Sequence, residues 1–317
     1  MSAASRPAQN SGDVSVWPHR LAVILACATF PLLFIGGLVT SKGAGLAVPD
    51  WPTTFGYNMF FYPWSKMVGN IFYEHSHRLI AAAVGVLTIA LTLTFWLQER
   101  RHWLRWLGAV ALLLIILQGV IGGLRVVLLE HALAIVHAAF AQAFFALTVS
   151  LAIFTSAEWN DEPKIELITD SGRLRRLCAI TTGLIYVQSV FGAVLRHTGG
   201  RLDAHLLFAA LVTLHVVFIL VRVMRSHADR PTFRRPSVVL CSLLVLQLML
   251  GLASYFAKFT SALGLPMGAL VVLTTTHLIT GSLMLATSLL VTLRAYRYSV
   301  SSRLTGGRRV LTEQFSA

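Results

Sequence analysis

Residues 105–125 read RWLGAVALLLIILQGVIGGLR. Between the two arginines no side chain is charged, over about the 20 residues that a helix needs to cross bilayer hydrocarbon. Reading outward by the same rule gives eight such spans, at 20–41, 72–97, 105–125, 132–155, 176–196, 204–222, 237–257 and 269–293. The chain of 317 residues is 56% hydrophobic and 12% charged, about half the charge of an ordinary soluble domain. It therefore reads as an all-α integral membrane protein with eight transmembrane helices. Residues 1–18 are polar and the first apolar run is full length, so no cleavable signal peptide is expected.

The net charge of +13 does not point to nucleic acid, because its distribution follows the spans. With the N-terminus inside, 19 of the 26 Lys and Arg fall on inner tails and loops and 7 on the outer side. That bias is the positive-inside rule, and it puts both termini in the cytoplasm. Cys27, Cys178 and Cys241 all lie within spans, where a small apolar role is the default and no disulfide is indicated.

The same stretch also shows a repeat. Gln118-Gly-Val-Ile-Gly122 returns as Gln188-Ser-Val-Phe-Gly192 and Gln247-Leu-Met-Leu-Gly251, each Gln and Gly sharing one helix face. The first helix lacks the Gln but carries Gly36-Gly37. Each even-numbered helix then opens with a histidine: His77, His137, His205 and His277. The spans thus form two pseudo-symmetric four-helix bundles, 20–155 and 176–293. An inner linker at 156–175 joins them, and inner tails occupy 1–19 and 294–317. An aromatic outer loop at 42–71, long enough for a cap over a site, belongs to the first bundle.

Imidazole is costly in hydrocarbon, so four copies at one depth read as ligands, and two facing pairs read as two haems. Zinc would want three or four close ligands, and only His75 and His77 are close. Small residues such as Gly119, Gly122, Gly123, Gly192 and Gly251 leave room for a macrocycle, or equally for close helix packing. Arg125 and Arg196, at the outer boundary, suit haem propionates, as does Arg78; snorkelling to the interface is the alternative for all three. His215 rivals His205 but lies about 15 Å deeper, which leaves His205 the better match. Glu74 sits three residues before His77, one turn away on the same face, where a carboxylate can accept a proton. Its alternative is a structural ion pair with Arg78. No matching acid precedes His137 or His277, so one half looks reactive and the other only ligated.

Three features together resemble the haem A synthase family, the bacterial and mitochondrial cytochrome oxidase assembly proteins that convert haem O to haem A. They are Gly43-Ala-Gly-Leu-Ala-Val-Pro-Asp-Trp-Pro52, Glu74-x-x-His77-Arg78, and a histidine in each even helix. The resemblance implies Glu74 as the catalytic acid, His77 and His137 as ligands of the substrate haem O, and His205 and His277 as ligands of haem b. It implies successive oxidation of the C8 methyl group to hydroxymethyl and formyl, in the cell inner membrane, with the haems towards the outer side. The partners it implies are lipid, haem O synthase and a membrane electron carrier, with a homo-oligomer left open. Many members carry a cysteine pair in the first outer loop; here Val48 and Thr54 stand in those places. A di-haem electron-transfer cytochrome is the alternative reading.

Overall fold

The computed structural model describes residues 15–161, 171–260 and 264–314. The tail ahead of residue 15, the linker residues 162–170 and the last three residues lie outside the described residues. The helices are α1 (Trp17–Ser41), α2 (Gly69–Gln98), α3 (His102–Leu128), α4 (His131–Thr155), the single turn α5 (Ala157–Asn160), α6 (Ser171–Thr198), α7 (Leu202–Ser226), α8 (Pro231–Phe259) and α9 (Met267–Gln314). All but α5 are long and apolar enough to cross a membrane, so the chain is a multi-pass membrane protein.

Each expected span is present, and most helices overrun it at one or both ends. An apolar run marks the hydrocarbon, whereas the helix persists into the interface because its backbone groups still need partners. Proline in the first turn suits the starts of α1 and α8, where an N–H has no helical acceptor in any case. The α9 helix runs on through most of 294–317, which the sequence assigns to a tail. That segment holds no proline to stop a helix.

Consecutive helices pack side by side, and α1 against α4 closes a ring of α1–α4. In the same way α6 against α9 closes a ring of α6–α9. The rings meet through α4 with α6, α1 with α9, and α4 with α9, so exchanging the halves leaves the pattern of neighbours unchanged.

Inside the first ring, Leu25, Leu91, Phe95, Leu104, Phe144 and Leu151 form the buried core. Close approach of α2 and α3 is set at Gly108, where a Cβ would come within 2.8 Å of the Phe95 ring. Thr92 Oγ1 donates to the Gly108 carbonyl there at 3.0 Å. Lipid tails are as apolar as these side chains, so packing and interhelical hydrogen bonds hold the rings together. Across the seam Gln142 Nε2 donates to Ser282 Oγ at 2.9 Å, and the Tyr186 hydroxyl to the Ala139 carbonyl at 3.2 Å.

The inner end is tied by charge. Arg294 pairs with Glu158 at 2.7 Å, pinning α5 under α9. Arg101 spans Glu99, the Phe154 carbonyl and Asn160. Burial pushes the Glu99 carboxyl up, but the Arg101 contacts outweigh it and hold it below the usual range. His227, whose neighbouring charges suggest a solvated side chain, is instead buried against Phe233 in the turn between α7 and α8.

Candidate functional site

The four histidines share one local construction. A Cβ built on Gly36, Gly122, Gly192 or Gly251 would lie 3.2, 3.1, 3.4 or 3.1 Å from Cε1 of His77, His137, His205 or His277 respectively. Each imidazole therefore rests closely on bare backbone of the helix before it, where a methyl group would press on the ring. Of the glycines noted in the sequence as space for a macrocycle, Gly122, Gly192 and Gly251 serve first as seats for the rings.

The Gln of the repeat lies one turn from its glycine and addresses the same histidine. Gln188 and Gln247 place Nε2 at 3.4 Å from the Nε2 of His205 and His277, and Gln118 Nε2 donates to the His137 carbonyl at 3.1 Å. The sequence pattern put Gln and Gly on one face; that the amide meets the histidine helix appears only in three dimensions.

His205 and His277 face each other with ring centroids 6.5 Å apart. Two imidazoles sharing one iron through metal–nitrogen bonds of about 2 Å would have centroids about 6 Å apart, and the spacing of this pair is compatible with that. In all four histidines Nδ1 is buried without a hydrogen-bond partner, and so are the Oε1 atoms of Gln118, Gln188 and Gln247. Orphaned polar atoms cost about 1–3 kcal/mol each, and their concentration here fits residues that hold a group rather than each other. Among the described residues no three His, Cys or acidic side chains gather to hold a bare metal ion. The donors fit haem.

His215 is placed differently. Its Nδ1 lies 2.8 Å from the Leu211 carbonyl of its own helix, one turn back, so its ring is satisfied locally. His205 is the histidine of α7 that faces His277.

Over the first-half histidines the outer loop folds inward. Ala44, Val48 and Thr54 are fully buried, with Tyr62 and Met67 nearly so. The loop is fastened by the two residues that flank His77. Glu74 is 4% exposed; Oε1 accepts from Arg78 at 2.8 Å and Oε2 from the Val48 amide at 2.9 Å. The ion pair weighed as the structural alternative for Glu74 is thus formed. Arg78 Nη1 also donates to the carbonyls of Asp50 (2.7 Å) and Thr53 (3.0 Å), and Nη2 to that of Val48 (3.1 Å). In this arrangement it is a loop clamp and does not snorkel to the interface.

His75 is buried in this fastening too, with Nδ1 3.1 Å from Thr54 Oγ1 and its ring 5.1 Å from Tyr62. Asp50 ties the tip, accepting from the amides of Phe55 and Gly56 and from Thr53 Oγ1. Burial is the largest single influence and raises the Asp50 carboxyl, but these donors together outweigh it and pull it below its usual value of 3.8. Phe60, Phe61 and Trp64 point outward, 63–80% exposed, as an interfacial belt would. The loop is both cap and belt.

The two boundary arginines both engage the first half. Arg125 lies against the backbone of Gly45, where a Cβ would come within 2.8 Å of its Nη2. Arg196 leaves the second ring and donates through Nη2 to the Gly37 carbonyl of α1 at 2.7 Å and to Ser41 Oγ. Ser41 Oγ is in turn 3.1 Å from both Thr274 Oγ1 and Thr275 Oγ1 on α9.

The sequence profile of the COX15-CtaA family, described as cytochrome oxidase assembly protein, matches residues 19–204. The chain belongs to that family. Among curated relatives, a heme A synthase of Shouchella clausii (strain KSM-K16) is 29% identical over 187 residues, 58% of this chain and 60% of that protein. A heme A synthase of Alkalihalophilus pseudofirmus (strain ATCC BAA-2126 / JCM 17055 / OF4) is 32% identical over 108 residues, 33% of this chain and 35% of that protein. The chain thus spans about three fifths and one third of these relatives. Glu74, His77, Arg125, His137 and Arg196 lie inside the family match, which ends one residue before His205.

Proposed function

We propose that this member of the cytochrome oxidase assembly family is a haem A synthase. It would oxidise the C8 methyl group of haem O to the formyl group of haem A. The observation that carries the reading is the fourfold seat of histidine on glycine, two seats per ring, in a chain whose relatives bear that name. His77 and His137 would hold haem O in the first ring, and His205 and His277 a haem b in the second. Bound haem would supply the iron and the electron relay, together with the methyl group to be oxidised.

The protein's own contributions follow from the geometry. Glycine seats and buried rings fix the histidine orientations, and the folded loop excludes water from the first site. Arg78 holds Glu74 Oε1, which leaves Oε2, bonded only to the Val48 amide, as the oxygen to take up a proton. The inner excess of Lys and Arg supports both termini in the cytoplasm and the haem sites towards the outer face of the inner membrane. Haem O synthase, as the source of the substrate, and a membrane electron carrier are the partners this reaction requires.

The test is co-expression with a haem O-producing system, followed by chromatography of acid-extracted pigment. Wild type should yield haem A. Glu74→Gln, which keeps an acceptor for the Val48 amide, should retain haem yet stop at haem O or the alcohol. Haem A formed at the wild-type rate by Glu74→Gln would remove the catalytic role. The engagement of both Glu74 oxygens favours one second reading, a di-haem electron-transfer cytochrome with a purely structural Glu74. Haem b alone in both halves under every condition would select it.

A further inference from the structure

At the other end of the second ring a cleft of about 410 Å³ opens between α6 and α7, lined by Leu177, Phe218, Val221, Arg222, Arg225 and Ser226. We infer that this cleft is a binding site for an anionic phospholipid. Nothing in the haem reading uses it. His205 opens α7 and Arg225 ends it, twenty residues and about 30 Å apart, so the cleft sits at the opposite membrane interface.

Its lining is divided by height along one helix. Phe218 and Val221, 50% and 40% exposed, lie one turn above Arg222 and Arg225 respectively, on the hydrocarbon side. Leu177 supplies a further apolar wall from α6. An apolar upper wall over two guanidinium groups and the Ser226 hydroxyl matches one amphiphile, with acyl chain above and phosphate diester below. Inorganic phosphate would make no use of Phe218, Val221 and Leu177.

Charge around the cleft points the same way. The inner ends of α6, α7 and α8 carry Arg173, Arg175, Arg176, Arg230, Arg234 and Arg235 besides the lining pair, against Asp229 as the one acid in 171–181 and 217–236. Clusters of this size beside a membrane attract anionic headgroups, by about 1 kcal/mol per basic residue, or about fivefold in affinity. A mere pair of snorkelling arginines predicts instead an effect that does not depend on which arginine is removed.

The test uses the full-length protein in detergent, titrated with phosphatidylglycerol or phosphatidylcholine of identical chains and read by native mass spectrometry and thermal shift. Phosphatidylglycerol should bind at least about tenfold tighter, given two lining arginines. Arg225→Gln should cost about fivefold and Phe218→Ala should weaken both lipids. Arg234→Gln, which lies off the cleft, should cost clearly less of the preference than Arg225→Gln. Haem content, read from the Soret band, should be unchanged in all three. Equal binding of the two lipids overturns the proposal. So does an equal loss in Arg225→Gln and Arg234→Gln, or stabilisation by inorganic phosphate that matches the lipid's.

Discussion

Gly123→Ala isolates the contact that seats the cap. A methyl built on Gly123 falls within 2.7 Å of Cδ2, Cε2 and Cε3 of Trp51, far inside the 3.5–4.0 Å or so at which carbon atoms rest. The indole is stiff, so either α3 gives way or the ring leaves. Overpacking of this kind costs about 1–3 kcal/mol. Releasing the ring costs more. Trp51 is 39% exposed, so it buries roughly 90–150 Å² of the area an aromatic side chain offers, worth about 2–4 kcal/mol.

The cheaper response wins, and alanine's advantage over glycine in a helix does not offset it, because α3 is helical whether the loop is open or closed. The loss of about 1–3 kcal/mol is borne by the loop, a rise of about tenfold or more in its open population. Gly119→Ala is the control: one turn earlier on the same helix, its methyl meets nothing within 4 Å. Limited proteolysis of the purified protein, with cleavage sites in 42–68 mapped by mass spectrometry, reads the difference directly. Gly123→Ala should be cut about tenfold faster and Gly119→Ala no faster than wild type. Equal rates for all three would mean that Trp51 does not hold the cap on α3.

Three further outcomes are expected. His205→Ala should lose about half the bound haem by pyridine haemochrome assay, as one ligand pair of two, whereas His215→Ala should lose none; the reverse would exchange their roles. Arg196→Gln gives up charge-assisted bonds to the Gly37 carbonyl and Ser41 Oγ, worth about 1.5–3 kcal/mol apiece before the refund from not burying a charge. Its thermal midpoint should fall, Arg196→Lys should recover part of the loss, and an unchanged midpoint in both would make the seam contact idle. Because the Asp50 carboxyl is held below its free value, its contribution to the loop is complete above about pH 4 and is lost as pH falls through the lowered value. Proteolytic protection of 42–68 should therefore be flat from neutral pH to about 4 and drop below it, while Asp50→Asn should be weakened throughout.

The sequence made the helices legible because hydrocarbon leaves a chain few options, and twenty uncharged residues say almost all there is to say about a span. The histidine repeat was legible for a related reason: an ionisable side chain in an apolar run stands out by its cost. What stayed hidden has no periodicity. Nothing in the local sequence of Arg78 distinguishes a propionate ligand from a clamp on three loop carbonyls, since both need a cation at a helix start. Arg196 reads as a residue of its own ring, and only the meeting of the rings, α4 with α6 and α1 with α9, brings α1 within reach of its long side chain across the seam. His227 looks solvated among its charged neighbours until the α7–α8 turn closes over it. The Gln-x-x-x-Gly repeat fixed a face without naming what that face meets.

The two rings share their seats yet differ in what covers them, and the difference explains the position of Glu74. In the second ring α6 joins α7 through Gly199, Gly200 and Arg201, with Gly199 and Arg201 in the left-handed region, and such a turn leaves nothing to fold over a site. In the first ring the segment 42–68 has two single 3-10 turns and one isolated bridge, Thr54 with Tyr57, so several of its carbonyls and amides need partners from outside. One buried ion pair supplies them: Arg78 takes three carbonyls and Glu74 takes the Val48 amide. A buried pair by itself is weak evidence for stability, because desolvation offsets its attraction. Here the charge-assisted bonds it gives the loop supply the compensation, and the carboxylate is brought under the cap as a consequence. Closing the cap and poising an acid beside His77 are one construction. Replacing Glu74 by alanine therefore opens the loop as well as removing an acid, whereas glutamine removes the acid but keeps one of the two acceptors, so it disturbs the cap less.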